Sequence, residues 1–177
     1  MTRRNGRNLI PASDQILRTA DVITHNPPGP NPGTWRADTD RMGEQLLTAR
    51  ELNACTGTII DAAIEVHKTV GPGLFEKAYL ACLMHELQRR GLTIERQVKL
   101  SLKYKDLVVP GAYYPDLIVN KSVIVEVKAM EAVAPIHERQ VTTYLRLADL
   151  RVGLLLNFGQ QTMKAGTHRI VNGFPAD

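Results

Sequence analysis

Two short stretches carry the side chains best suited to chemistry: Tyr114-Pro115-Asp116 and, after an intervening turn, Val125-Glu126-Val127-Lys128. Side chains alternate between faces along a strand, so Glu126 and Lys128 project to the same side. A carboxylate and an ammonium on an apolar strand are costly to bury unless something pairs them. A divalent cation together with a phosphate would pair both, and the chemistry such a set supports is phosphodiester hydrolysis. Asp116 and Glu126 are hard oxygen donors of the kind Mg2+ or Mn2+ takes, and the backbone carbonyl of Val127 would add another. A bound cation would lower the pKa of a water and offset phosphate charge. Lys128 would orient that water or stabilise the pentacovalent transition state. The plain alternative is a surface salt bridge between Glu126 and Lys128, with Asp116 a strand-end residue.

The site requires a particular register. Residues directly opposed across an antiparallel pair share a face. A three-residue loop, Asn120-Lys121-Ser122, sets Val119 opposite Val123 and therefore Asp116 opposite Glu126. A two-residue loop without a bulge would send Asp116 to the face of Val125 and Val127, and the site would not form.

The elements around this hairpin follow from periodicity. Ile59, Ala63, Val66 and Val70 recur at helical spacing, with Ile60, Ile64 and His67 beside them, until Gly71-Pro72-Gly73 breaks the helix. A second helix over about Phe75 to Arg90 places Phe75, Tyr79, Cys82, Leu83 and Leu87 on one apolar face, and Gly91 ends it. Alternation then predicts one half-buried strand from Ile94 to Tyr104, a turn at Lys105-Asp106, a second strand to about Val119, and a third over Ser122 to Lys128. A third helix over about Ile136 to Leu147, a buried strand Val152 to Asn157 and a shorter strand around His168 to Val171 complete the order. This is an α/β sandwich with a mixed sheet and helices on its faces.

Residues 1–42 read differently. Asn26-Pro27-Pro28-Gly29-Pro30-Asn31-Pro32-Gly33 is compatible with neither a helix nor a central strand. The expectation is a disordered Pro/Gly-rich leader with a short helix near Ser13 to Ile23, Met42 as an alternative start, and one folded domain over 43–177.

Composition bounds the rest. The chain has 177 residues, 44% of them hydrophobic and 23% charged, which suits one globular domain. No apolar run approaches a membrane span and no apolar block follows Arg3, Arg4 and Arg7, so no membrane partner is expected and the cytoplasm is the expected location. The two cysteines, Cys55 and Cys82, form no close pair. That excludes a zinc finger or a four-cysteine cluster built by one chain, and both read as buried free thiols. A net charge of +4 permits a nucleic-acid partner without demanding one. His67 reads as a satisfied core histidine and His137 as a residue able to line the cleft.

Pro115-Asp116 followed by Glu126-Val127-Lys128 after a hairpin turn resembles the PD-(D/E)XK nuclease superfamily, as does the element order. Gly73-Leu74-Phe75-Glu76-Lys77-Ala78-Tyr79 is an uninterrupted match to the motif of the GxxExxY proteins within that superfamily. The likeness covers roughly Leu46 to Val171. It implies a restriction-endonuclease-like αβββαβ sandwich and a metal-dependent nuclease acting on nucleic acid, with DNA the expected substrate. It also implies Asp116 and Glu126 as ligands of Mg2+ or Mn2+, Lys128 as the catalytic lysine, and Glu76 as the helical acid that joins the site. Glu76 also reads as a solvated residue favoured by the helix dipole, and Tyr79 as core. Gln140 and Tyr144 resemble a Q-x-x-x-Y motif of bacterial recombination nucleases. Spacing of four sets them on one helical face, able to reach toward DNA or the catalytic lysine, and the resemblance implies Gln140 as a catalytic residue and Tyr144 as a substrate-binding one, though an amphipathic helix boundary would give the same pair. Gln97 resembles a polar position common in these proteins. Relatives whose Q-x-x-x-Y motif accompanies a four-cysteine cluster are excluded by the cysteine count. A second reading is a catalytically weak or inactive module of the same fold that binds nucleic acid or protein, with a homo-oligomer or a partner subunit left open.

Overall fold

A computed structural model describes residues 47–175. The expected leader and its short helix, and the first residues of the expected domain, lie outside the described residues.

Helix α1 (Ala49–Val70) begins at a capping box: the Thr48 hydroxyl accepts the Glu51 N–H, and the Glu51 carboxylate accepts the Thr48 N–H. It ends where Gly71 takes a left-handed φ of 69°. Helix α2 (Glu76–Arg89) follows, then strands β1 (Ile94–Arg96), β2 (Leu100–Tyr104), β3 (Leu107–Tyr113), β4 (Leu117–Val119) and β5 (Val123–Lys128). Helix α3 (Pro135–Ala148), strand β6 (Val152–Asn157), the single turn α4 (Met163–Gly166) and strand β7 (Thr167–Val171) complete the order.

Among the described residues, five strands form a mixed sheet in the order β1-β4-β5-β6-β7, with β5 and β6 parallel and the other pairs antiparallel. One face packs on α1 and α2: Val123, Val125, Val127, Leu154 and Leu156 meet Ile59, Ala63, Tyr79, Leu83 and Leu87. The other packs on α3, where Ile118, Ile124 and Leu155 meet Val141, Tyr144 and Leu145. A Cβ at Gly153 would lie 2.7 Å from Val141 Cγ1, so the missing side chain is what lets α3 sit this close to β6. The architecture is the predicted mixed sheet flanked by helices.

Three sequence expectations need correction. The single strand from Ile94 to Tyr104 is two, β1 in the main sheet and β2 in a separate two-stranded ribbon with β3. It breaks at Gln97, whose φ of 48° lies in the left-handed region. The opposite strand breaks to match at Tyr114–Asp116, and the Gln97 N–H reaches the Asp116 carbonyl at 3.4 Å across the bend. The ribbon turns aside because Leu100, Val98 and Tyr113 bury against α3 instead of continuing the sheet. Phe75, expected on the apolar face of α2, is 88% exposed. It is the residue before the first helical one, so helical periodicity does not govern it. The cysteines are free but only half-buried.

Candidate functional site

The turn between β4 and β5 fixes the register. Asn120 and Lys121 take φ of 47° and 52°, and the Ser122 N–H donates to the Val119 carbonyl at 3.0 Å. Ser122 is then one residue beyond the tight turn, and the strands pair Val119 with Val123 and Leu117 with Val125. One step further, Asp116 stands across from Glu126. Both therefore face the α3 side of the sheet, as does Lys128.

β4 begins at Leu117, so the sheet offers the Val127 N–H no main-chain acceptor at that point. The Asp116 carboxylate takes that place, accepting the Val127 N–H at 2.9 Å. A strand residue's N–H and C=O point to the same edge, so the Val127 carbonyl also faces the end of β4. Lys128 donates to Glu126 Oε1 at 2.8 Å. Glu126 is 4% exposed, and its Oε2 is buried with no hydrogen-bond partner.

Burial raises the pKa of both carboxyl groups, and the Asp116 charge raises Glu126 further. Burial alone would lower Lys128, but its hydrogen bond to Glu126 and the charges of Glu126, Glu76 and Asp116 outweigh it and raise it. Glu76 is exposed at the start of α2, in the layer on the opposite face, yet lies near enough to act on both Asp116 and Lys128. Asp116, Glu126 and Lys128 thus lie at one end of the sheet, where β4 starts and β5 stops, with Glu76 within electrostatic reach. Among the described residues, however, no three acidic, histidine or cysteine side chains are gathered so as to hold a metal ion.

Helix α3 supplies the wall. Gln140 donates to the Tyr144 hydroxyl, and Tyr113 meets the Tyr144 ring edge-on with centroids 5.8 Å apart. Burial, with the Glu126 charge, pushes Tyr144 up to about 12, so its hydroxyl keeps its proton at neutral pH.

Tyr79 is buried, as expected of a core residue, but its hydroxyl also works on the loop before Glu76. It donates to the Gly71 carbonyl at 2.7 Å and accepts the Leu74 N–H at 3.1 Å, while the ring stacks on Phe158 at 4.5 Å. Phe158 in turn donates its N–H to the Lys128 carbonyl at 2.7 Å. One tyrosine therefore ties the Glu76 turn to the end of β5.

His67 is half-buried, bonded to the Gln160 carbonyl at 2.9 Å and stacked near Phe158, as a satisfied histidine should be. His137 accepts the Ala134 N–H at 3.2 Å at the start of its own helix. Gln97 forms the bend described above and is exposed.

Two contributors escaped the sequence reading. Arg96 is exposed and near enough to Asp116 to oppose the rise in its pKa. Asn157, fully buried beside Lys128 in register, bonds both the N–H and the carbonyl of Met130 and so pins the chain leaving the site. An asparagine closing an otherwise apolar strand was the available signal for it.

The donor set fits a hard divalent cation. Asp116 and Glu126 lie on one face close enough to raise the Glu126 pKa, one Glu126 oxygen is buried without a hydrogen-bonded donor, and cations such as Mg2+ commonly take one or two carboxylates and complete their shell with water and phosphate.

Comparison with known families gives a match to the PD-(D/E)XK nuclease superfamily over residues 53–170, which includes every candidate residue above. No curated protein and no solved structure matches the chain.

Proposed function

This chain belongs to the PD-(D/E)XK nuclease superfamily, and from that premise we propose that it is a metal-dependent nuclease hydrolysing phosphodiester bonds of DNA. The mixed sheet flanked by helices agrees with a restriction-endonuclease-like fold. Within the superfamily we assign it to the GxxExxY proteins, on Gly73, Glu76 and Tyr79.

The observation that carries this reading is the buried Glu126 carboxylate, whose Oε1 takes Lys128 and whose Oε2 has no hydrogen-bonded partner of good geometry, the Asp116 main chain offering it weak support. A group so placed is costly in a fold with no use for it. Asp116, Glu126 and the Val127 carbonyl would hold Mg2+ or Mn2+. When bound, the cation supplies Lewis acidity and neutralises charge on the phosphate. Lys128 keeps its proton and presents it where negative charge grows on the phosphoryl oxygens. Glu76, exposed at the mouth, accepts a hydrogen bond from the attacking water. Gln140 holds the Tyr144 oxygen as an acceptor, which leaves the Tyr144 proton free to donate to a substrate oxygen.

The test is incubation of the purified full chain with labelled duplex, single-stranded and branched DNA in Mg2+ or Mn2+ and in EDTA. Metal-dependent cleavage that Asp116→Ala and Glu126→Ala abolish supports the proposal. Absence of cleavage on every substrate refutes it. Two observations favour an inactive binding module instead: Lys128 already occupies Glu126, and among the described residues no three acidic, histidine or cysteine side chains are gathered so as to hold a metal ion. Calorimetry separates the two, because an inactive module takes up no Mg2+ or Mn2+.

A further inference from the structure

The motif turn holds a side chain that neither packing nor the chemistry above explains. Phe75 is 88% exposed, and it immediately precedes Glu76. It occupies the cap position of α2 and offers no side-chain hydrogen bond there, although serine, threonine and aspartate are favoured at such positions. The same chain builds a full capping box at α1.

The ring is carried on a stiff mount. The Phe75 carbonyl accepts the Ala78 and Tyr79 N–H groups, and the Tyr79 hydroxyl clamps Gly71 and Leu74 just before it. Leu74, 39% exposed, extends the apolar surface. A second aromatic stands near Asp116: Tyr114, 48% exposed, lies two residues before it and folds over Gly111, where a Cβ would collide with the tyrosine hydroxyl. Lys77, two residues after Phe75, and Arg96, which acts on Asp116, are both exposed.

We propose that Phe75 is a stacking platform for an unpaired base, so that the preferred substrate is single-stranded or splayed nucleic acid. This rests on the nuclease reading above. Aromatic rings beside cations are how single strands are held, since every unpaired base offers a π face while a duplex hides its own. A platform already fixed by main-chain bonds loses little freedom on binding. Its place next to Glu76 favours a nucleic-acid occupant over a protein one, because whatever covers Phe75 also covers the mouth of the site.

The test uses the full chain in EDTA, with fluorescent single-stranded and duplex oligonucleotides followed by anisotropy. The parent should bind the single strand more tightly. Phe75→Ala should weaken single-strand binding by about 5- to 100-fold and leave duplex binding unchanged. Phe75→Trp should keep the affinity, and its added emission should be quenched by the single strand, measured against the parent with its one native tryptophan, Trp35. Unchanged single-strand affinity in Phe75→Ala overturns the proposal. So does a fall in melting temperature or a change in oligomeric state with affinity intact, which would mean that Phe75 covers another part of this chain or a second copy. Binding needs neither metal nor cleavage. A chain that stacks a single strand but never cuts in Mg2+ therefore loses the nuclease reading alone, and one that cuts normally without Phe75 loses only this one.

Discussion

Asp116→Asn separates a site kept for function from one kept for stability. In the metal-free fold Asp116 accepts the Val127 N–H, and an asparagine oxygen does the same. The substitution therefore keeps the bond and removes the charge. Opposed strand residues place their Cβ atoms about 5 Å apart. Two unit charges about 5 Å apart repel by about 3 kcal/mol at an effective dielectric of about 20. Lys128 and Arg96 attract Asp116, and solvent reaches it, so the net is smaller. The sign is still set by the raised pKa: burial makes the Asp116 charge costlier in the fold than in the unfolded chain. Asp116→Asn should therefore stabilise the metal-free protein by about 1 kcal/mol, or about 2–4 °C in melting temperature for a chain of this size. It should also abolish both the stabilisation by added Mg2+ and the cleavage. Thermal unfolding in EDTA and in MgCl2, beside a nuclease assay, reads all three. A variant that melts lower than the parent in EDTA would show that Asp116 is a structural hydrogen-bonding residue, and the electrostatic argument would fail.

Lys128→Met takes from a buried carboxylate its one side-chain donor, so unfolding in denaturant should show a loss of about 1–3 kcal/mol. Single-turnover cleavage should fall by about 10²- to 10³-fold. In EDTA, stability should decline as pH rises from the ordinary carboxylate values of 3.8 and 4.5 through the raised values in the fold, because over that window the folded state holds protons that the unfolded chain has released. Asp116→Asn should flatten that decline, and a difference of melting curves across pH between parent and variant checks it. Tyr79→Phe strips a donor from the Gly71 carbonyl and an acceptor from the Leu74 N–H, which should cost about 1–2 kcal/mol in denaturant unfolding. Cleavage should fall with it, since the same turn positions Glu76; full activity in a destabilised Tyr79→Phe would confine the tyrosine to a packing role.

Local sequence settled more than the elements themselves. Gly71-Pro72-Gly73 stops α1 and Gly91 closes α2 because a continuing helix cannot cross them. Asn120 and Lys121 turn left-handed and leave Ser122 over, and that odd count alone puts Asp116 and Glu126 on one face. Strand parity is a property of the chain, so the acid pair and its lysine were legible before any fold. What parity cannot say is which partner an alternating strand chooses. Leu100, Val98 and Tyr113 suit a sheet face and a helix equally, and only the competition from α3 bends the chain at Gln97 and Tyr114–Asp116, ending β4 where the Val127 N–H needs an acceptor. The proximity of Glu76 to Asp116 likewise comes from two layers meeting at one sheet end, a distance no sequence spacing encodes. Phe75 marks the same boundary: its apolar character predicted burial, and its place one residue outside the helix decided exposure.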